Sequence, residues 1–265
     1  KKKEDAEAFI QKMKALEQTE AEVCSIERKK ETRYAPLLFN LAELQNVCSK
    51  LFKISPDETL RITQELYEKK LVTYPRTDAR VLSTAVAKEI YKNINGLMRY
   101  EPMAGFAKEA MDLGSFKGIA KTRYVNDKQI TDHYAIIPTG QGMGNLRGLS
   151  PLSEKVYQVV CRRFLSIFYP AAIYQKYSLV LERKKEQFFA SFKVLSEPGY
   201  LKVADVNLAK KSSIQETFSD EKEGNSAQTD EKNAEIPKVD RTLLLQVLAD
   251  LKKNAILTIA DLKVK

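Results

Sequence analysis

Apolar residues recur at intervals of three and four in five stretches of the chain, and this spacing predicts amphipathic helices. The five helices are predicted at residues 4–19, 41–51, 55–70, 84–94 and 153–168. The third has the clearest start, because Ser55 suits the N-cap, Pro56 the first turn and Glu58 the capping-box position. The part between the last two helices contains the glycine-rich sequence TGQGMGNLRG and is predicted to be rich in loops.

Alternating apolar and polar residues predict strands in the segments that flank these helices. Extended structure is expected over 21–34 and over 171–206. The second of these segments has a turn near Lys185 and another at 196–203, which leads into a strand. A further strand is expected after a short helix near the C-terminal end. Residues 70–75 are also β-rich. The second and third helices would then form a helix-turn-helix with a strand or wing attached.

These patterns predict a mixed α and β protein with an inserted domain. A mostly helical unit at 35–172 lies between residues 1–34 and 173–265, which together would make a β-rich unit. Within the last of these, residues 207–236 contain four lysines, seven acidic residues and a single aromatic residue. This composition predicts a mobile surface insertion.

Composition and charge favour a globular protein with a polyanionic partner. At 265 residues, with 43% hydrophobic and 30% charged residues, the chain can form one or two domains with buried cores. The 44 lysines and arginines exceed the 35 acidic residues and give a formal charge of +9, which favours nucleic acid. A basic surface without such a partner is the alternative.

The same composition argues against several kinds of site. The cysteines Cys24, Cys48 and Cys161 are widely spaced and His133 is the only histidine, so neither a zinc site nor a disulfide framework is expected. The glycines of residues 140–148 fit neither GxGxxG nor a P-loop, so no nucleotide site is expected. No apolar run is long enough for a membrane span and the start of the chain is charged, so we expect a cytoplasmic protein.

The sequence YPRTD at residues 74–78 is the first candidate for chemistry. The proline biases Tyr74 toward extended backbone, in which Tyr74, Arg76 and Asp78 project to one side. A phenol is a weak nucleophile at neutral pH, but a guanidinium that binds phosphate oxygens would stabilise its attack on a phosphodiester. Taken alone, the spacing also fits an edge strand with a surface ion pair.

The second candidate is His133, in the sequence ITDHYAIIPTG. An imidazole near a phosphodiester could donate a hydrogen bond to an oxygen or assist proton transfer. A single histidine is more often structural or merely exposed, and the local sequence leaves both interpretations open.

Four motifs taken in order resemble type IA DNA topoisomerases: LFNLAELQ, TLRITQELYEKKLVTYPRTDARVL, DHYAIIPT and LSPLSEKVYQVVCRRFL. The YPRTD form is most similar to the topoisomerase III branch. The resemblance implies that Tyr74 attacks single-stranded DNA and forms a 5′-phosphotyrosine, so that religation after strand passage needs no ATP. Arg76 and His133 match residues that contact phosphates. Further matching positions are second-rank candidates for DNA binding, and they are Gln64, Tyr67, Glu68, Thr77, Asp78 and Asp132.

The resemblance also implies an architecture and a cofactor. Type IA enzymes form a toroid in which a helical, winged-helix-like (catabolite activator-like) domain carries the tyrosine and is inserted into a β-rich arch domain. Family members bind Mg²⁺ through a Toprim domain that has no counterpart in this sequence. We therefore expect no metal ligands here, and a fragment that binds DNA weakly without cleaving it. Two positions depart from the family pattern, since Ala79 replaces a common serine and Tyr134 a common histidine.

Two interpretations without catalysis are alternatives. In a winged-helix DNA-binding module, residues 41–70 would be the helix-turn-helix and Tyr74 part of the wing, and duplex binding would survive loss of the tyrosine hydroxyl. An interaction protein that recruits a partner through residues 207–236 has only that segment in its favour.

Overall fold

The structure is a computed structural model that describes residues 3–14, 20–183, 185–204 and 241–258. These residues belong to two compact units. The first comprises the described parts of Lys1–Glu31, Ile173–Ser196 and Lys211–Lys265, and the second those of Thr32–Ala172 and Glu197–Lys210.

The described residues form eight α-helices and four strands. In chain order they are α1 (Lys3–Lys14), β1 (Glu20–Arg33), α2 (Leu41–Phe52), α3 (Pro56–Glu68), α4 (Thr84–Leu97), α5 (Glu101–Leu113), α6 (Pro151–Ser166), β2 (Ala172–Arg183), β3 (Glu186–Glu197), α7 (Leu201–Ala204), α8 (Arg241–Asp250) and β4 (Ile256–Thr258). Three short 3-10 helices lie between α5 and α6, at Ser115–Lys121, Asp127–Gln129 and Met143–Gly148.

The first unit is built on a sheet with the strand order β3-β2-β1-β4, in which β1 and β4 run antiparallel. Side chains of the sheet and of α8 form its buried core, and they are Val23, Tyr177, Leu179, Val194 and Leu248. The Arg28 guanidinium donates to the carbonyl oxygens of Leu248 and Ala249, at 3.0 and 3.1 Å. These bonds satisfy carbonyl groups that the end of a helix leaves free.

The second unit is mostly helical, and its helices begin at well-formed caps. Side-chain oxygens of Asn40, Ser55, Ser83 and Ser150 accept from backbone N–H groups three residues further on, at the starts of α2, α3, α4 and α6. Helix α6 packs against α3, α5 and α7 and buries aromatic side chains such as Tyr157. This core fixes α3, whose C-terminal end leads into the YPRTD segment.

The structure differs from the sequence prediction at three places. Helix α5 lies where loops were expected. The residue before it, Tyr100, makes no side-chain cap hydrogen bond, so the N-cap signal is missing, although Pro102 stands in the first turn. The turn at 196–203 leads into the short helix α7 and not into a strand. Residues 70–75 contain an isolated bridge between Val72 and Pro138 in place of a regular strand.

The other predicted elements agree with the structure. Helices α2, α3, α4 and α6 and strands β1, β2 and β3 lie where the patterns place them, which confirms the mixed α and β class. Residues 15–19 and the predicted insertion at 207–236 lie outside the described residues. The domain boundaries and the winged-helix character stay predictions. Within the described ranges, no helix has both the length and the apolar character that crossing a membrane requires.

Candidate active site

Two motifs that are far apart in the sequence run side by side in the second unit. The Thr73 N–H donates to the Ile137 carbonyl oxygen at 3.0 Å, and the Ala135 N–H donates to the Val81 carbonyl oxygen at 3.0 Å. The Thr73 hydroxyl adds two bonds, because it donates to the Ala135 carbonyl at 3.0 Å and accepts from the Ile137 N–H at 2.9 Å. The YPRTD segment is thereby fixed against the DHYAIIPT segment.

Tyr74 contacts two other rings and lines a pocket of about 550 Å³. Its ring centroid is 4.3 Å from that of His133, with the ring planes tilted by 41°. The Tyr67 ring contacts it edge-on, at a centroid distance of 5.5 Å and an angle of 83°. Such contacts favour a defined ring position, so the phenol of Tyr74 is held at the pocket together with the imidazole.

A buried hydroxyl connects the two motifs close to these rings. The Thr77 hydroxyl donates to the His133 carbonyl oxygen at 2.8 Å and accepts from the Ala79 N–H at 3.1 Å. Thr77 is 6% exposed, whereas His133 is exposed. The histidine is therefore anchored through its backbone, while its ring faces solvent beside Tyr74.

The two charged residues of YPRTD face solvent. Burial alternates along residues 75–79, as an extended chain requires, and the exposed side chains are Arg76 and Asp78. The backbone here is anchored to the start of α2, because the Asp78 carbonyl oxygen accepts a 3.2 Å hydrogen bond from the Asn40 side-chain amide. The guanidinium of Arg76 is thus accessible to a ligand two residues after the tyrosine.

The remaining predicted DNA-binding residues divide into two groups. Tyr67 and Glu68, at the end of α3, line the same pocket as Tyr74. Gln64 is one turn earlier and is not among the described residues that line it, but its side-chain amide donates to the Glu68 carboxylate at 3.1 Å. Asp132 is exposed next to His133 and also lies outside the described lining.

The structure adds pocket residues that the sequence did not identify. They are Lys70, Val72, Thr73, Tyr134, Thr139 and Gln141, with Tyr134 noticed earlier only as a departure from the family pattern. Burial raises the pKa of the Tyr134 phenol above its ordinary value. The sequence does not single out Thr73 and Thr139, because their role depends on hydrogen bonds between two segments that are distant in the chain.

No metal site is built from the residues at this pocket. Throughout the ranges that the structure describes, no group of three or more histidine, cysteine, aspartate or glutamate side chains is arranged to hold a metal ion. Magnesium is bound in near-octahedral geometry through one or two carboxylates together with waters and substrate phosphates. The described lining of the pocket contains one carboxylate, Glu68, beside three tyrosines, an imidazole and other polar groups, so these residues alone do not form a complete magnesium site.

Comparison with known proteins defines the class of this chain. A family profile described as DNA topoisomerase matches residues 1–250, and the chain therefore belongs to that family. Among curated proteins it is similar to DNA topoisomerase 3 of Bacillus subtilis (strain 168), with 36% identity over 197 residues, 73% of this chain and 26% of the relative. DNA topoisomerase 3 of Bacillus licheniformis is 32% identical over 241 residues, 90% of this chain and 30% of the relative.

A solved structure shows the same fold. Full-length topoisomerase I from Thermotoga maritima matches 96% of this chain and 35% of its own, with a TM-score of 0.55 and 18% identity. Together these matches confirm the resemblance to type IA topoisomerases of the topoisomerase III kind that the four motifs predicted. The chain spans between a quarter and a third of the length of the curated relatives it matches.

Proposed function

We propose that the protein acts in type IA topoisomerase chemistry and that Tyr74 is the nucleophile that cleaves single-stranded DNA. The observation that carries this proposal is the position of the Tyr74 ring, which lines a pocket and contacts the rings of both Tyr67 and His133. A nucleophile must be both accessible and fixed in orientation to react efficiently. Tyr74 is half-buried and makes two ring contacts, and it meets both requirements.

The reaction is a transesterification. The Tyr74 hydroxyl oxygen attacks the phosphorus, the bond from phosphorus to the 3′ oxygen breaks, and the phosphate remains on the 5′ side of the downstream strand. The phenol proton is lost and the departing 3′ oxygen gains one. The phosphotyrosine conserves the energy of the phosphodiester, so the released 3′ hydroxyl can reverse the step after strand passage without ATP.

Arg76 and His133 act on the phosphate in this scheme. The exposed guanidinium of Arg76 would bind non-bridging oxygens in bidentate fashion, and the His133 imidazole would donate to a neighbouring phosphate oxygen. The Arg76 contact would stabilise the negative charge on the non-bridging oxygens of the pentacovalent phosphorus. The His133 contact to the nearby phosphate would hold the strand in position for the attack. The ring contact between His133 and Tyr74 supports this arrangement, because it holds the phenol and the imidazole together.

Five of the other matched residues would bind the DNA strand around the reacting phosphate, and they are Gln64, Tyr67, Glu68, Asp78 and Asp132. The sixth, Thr77, is buried and its hydroxyl is engaged with the His133 carbonyl oxygen and the Ala79 N–H, so it would act by positioning His133. In this proposal residues 35–172 form the winged-helix-like domain and the flanking segments form the arch, and the reaction occurs in the cytoplasm, in keeping with three free cysteines. Magnesium would be bound by residues outside these 265, so the 265 residues alone should bind DNA without cleaving it.

End-labelled oligonucleotides test the chemistry in the full-length protein. A single-stranded oligonucleotide labelled at its 3′ end should leave its label on the denatured protein, because the downstream piece stays attached through its 5′ phosphate. The same oligonucleotide labelled at its 5′ end should release a shorter free fragment with a 3′ hydroxyl. Retention of the 5′ label would contradict the proposed polarity of cleavage.

The same assay separates catalysis from simple DNA binding. A winged-helix module without catalysis would bind duplex more tightly than single strands and would yield no adduct with either label. The proposed function predicts the opposite preference, together with an adduct that withstands denaturation.

A further inference from the structure

Helix α3 ends in a turn whose central position is occupied by a lysine. The Leu71 N–H donates to the Leu66 carbonyl oxygen at 2.9 Å, and the Lys70 N–H donates to the Tyr67 carbonyl oxygen at 2.8 Å. This pair of bonds defines a Schellman motif, in which glycine is preferred at the position of Lys70. Lys70 has a φ of 61°, where a side chain crowds the following carbonyl. Lysine therefore carries a conformational cost that glycine would avoid.

The glycine-rich sequence TGQGMGNLRG, which begins at the last residue of DHYAIIPT, fixes this turn. The Thr139 hydroxyl donates to the Lys70 carbonyl oxygen at 2.6 Å, and the Asn145 side-chain amide donates to the Lys69 carbonyl oxygen at 3.0 Å. Gly142 permits the close approach, because a Cβ at that position would lie 2.6 Å from the Lys69 carbonyl oxygen. The backbone at Lys70 is held by a neighbouring segment, although its side chain is exposed.

The residue at this costly position is one of those that line the tyrosine pocket. Lys70 lines the pocket together with Tyr74 and His133. The adjacent Lys69 is paired with the Glu65 carboxylate at 3.9 Å, whereas among the described residues Lys70 has no carboxylate within ion-pair distance. An accessible cation without a carboxylate partner beside a phenol is suited to an anionic ligand. An unfavourable backbone conformation that is retained at a ligand pocket is a recognised sign of a functional constraint.

We propose that Lys70 is a further DNA-binding residue of this pocket, whose ammonium binds a backbone phosphate of the strand that Tyr74 attacks. The identity of the ligand rests on the proposed function. A lysine suits this role because its long flexible stem can follow a phosphate as the strand enters and leaves. The fixed turn sets the position of the Lys70 backbone from which the side chain extends. In this proposal the function of the glycine-rich segment is to hold that turn in place.

A matched pair of variants tests the proposal. Lys53 ends α2 with a φ of 59° and is not among the described residues that line the pocket. Lys70→Gly and Lys53→Gly each remove one positive charge and relieve the same left-handed backbone, so both variants should keep or raise the Tm of the full-length protein. Only Lys70→Gly should weaken binding to a single-stranded oligonucleotide.

The salt dependence of binding provides the measurement. For Lys70→Gly, the slope of log Kd against the logarithm of salt concentration should be shallower by about 0.7, the value for one lost contact to a single strand. Lys70→Arg should restore the wild-type slope. Equal slopes for the wild type and Lys70→Gly, or an equal loss in Lys53→Gly, would overturn the proposal.

The covalent adduct is measured separately on the same proteins, so the two proposals can fail independently. A shallower slope in Lys70→Gly without any adduct from the wild type would support Lys70 as a DNA contact and contradict Tyr74 as a nucleophile. An unchanged slope together with a normal wild-type adduct would refute the role of Lys70 alone.

Discussion

The hydroxyl of Thr77 donates a 2.8 Å hydrogen bond to the backbone carbonyl oxygen of His133. The same hydroxyl accepts from the Ala79 N–H, and Thr77 is buried although both of its chain neighbours are exposed. A hydrogen bond shielded from water is costly to lose. The position of the imidazole beside Tyr74 therefore depends on a buried hydroxyl between the two motifs.

Replacing Thr77 by valine should destabilise the protein and misplace His133. The change keeps the shape of the side chain but leaves the buried Ala79 N–H without its acceptor, so the free energy of unfolding should fall by about 1–3 kcal/mol. Thr77→Ser keeps the hydroxyl and is the matched control. Urea denaturation of both variants measures the effect. Wild-type stability in Thr77→Val would show that the hydroxyl is not the anchor.

Substitution of His133 separates its ring contact from its contact to phosphate. His133→Phe keeps a ring against Tyr74 without any N–H group, and His133→Ala removes both. Because His133 is exposed, each variant should change the free energy of unfolding by less than about 0.5 kcal/mol. Both should reduce the rate of adduct formation roughly tenfold or more, since a charged hydrogen bond is lost. A wild-type rate in His133→Phe would assign the histidine to ring packing alone.

Two glycines in one loop should respond differently to alanine. Gly142 has a φ of 67° and would place its Cβ 2.6 Å from the Lys69 carbonyl oxygen, whereas a Cβ on Gly144 would meet nothing within 4 Å. Gly142→Ala should therefore lower the free energy of unfolding by about 1–3 kcal/mol. Gly144→Ala should leave it unchanged or raise it by up to about 1 kcal/mol. Thermal unfolding of the two variants provides the comparison, and equal effects would contradict this account of the loop.

The buried thiol of Cys48 should make stability fall at alkaline pH. Burial raises the pKa of Cys48 from 9.0 to about 12. The pKa of Cys48 is higher in the folded than in the unfolded protein. The contribution of the buried thiol to the free energy of unfolding is therefore fully present below about pH 9 and is lost as the pH rises toward 12. The urea midpoint should therefore fall less between about pH 8 and about pH 10.5 in Cys48→Ala than in the wild type. The variant is less stable than the wild type at both pH values. Parallel falls would exclude the thiol as a cause.

Caps and periodicity explain which helices the sequence could predict. Helices α2, α3, α4 and α6 each begin at an asparagine or serine that accepts a backbone N–H. Helix α5 follows Tyr100, which makes no side-chain cap hydrogen bond, and it contains Gly105, a poor helix former. Its sequence does contain Pro102 in the first turn and Gly114 as a left-handed cap, which are weaker signals than an N-cap side chain. Packing against α4 and α6 stabilises the helix further, and a local pattern does not contain that tertiary effect.

The candidate site was only partly accessible from sequence. Motif order singled out Tyr74 and His133, and the structure brings their rings within 4.3 Å. The pairing of the two segments through Thr73 could not be predicted, because hydrogen bonds between distant segments leave no local pattern. Lys70 escaped notice for a different reason, since its significance lies in a left-handed backbone that glycine would normally adopt.

The central claim is tested most directly by measuring whether Tyr74→Phe forms a covalent adduct with labelled single-stranded DNA. Tyr91→Phe is the matched control, because Tyr91 is a 39% exposed tyrosine on α4 and not among the described residues that line the pocket. After denaturing electrophoresis of the full-length proteins, the account predicts no adduct from Tyr74→Phe and a wild-type amount from Tyr91→Phe. A wild-type amount of adduct from Tyr74→Phe would contradict it.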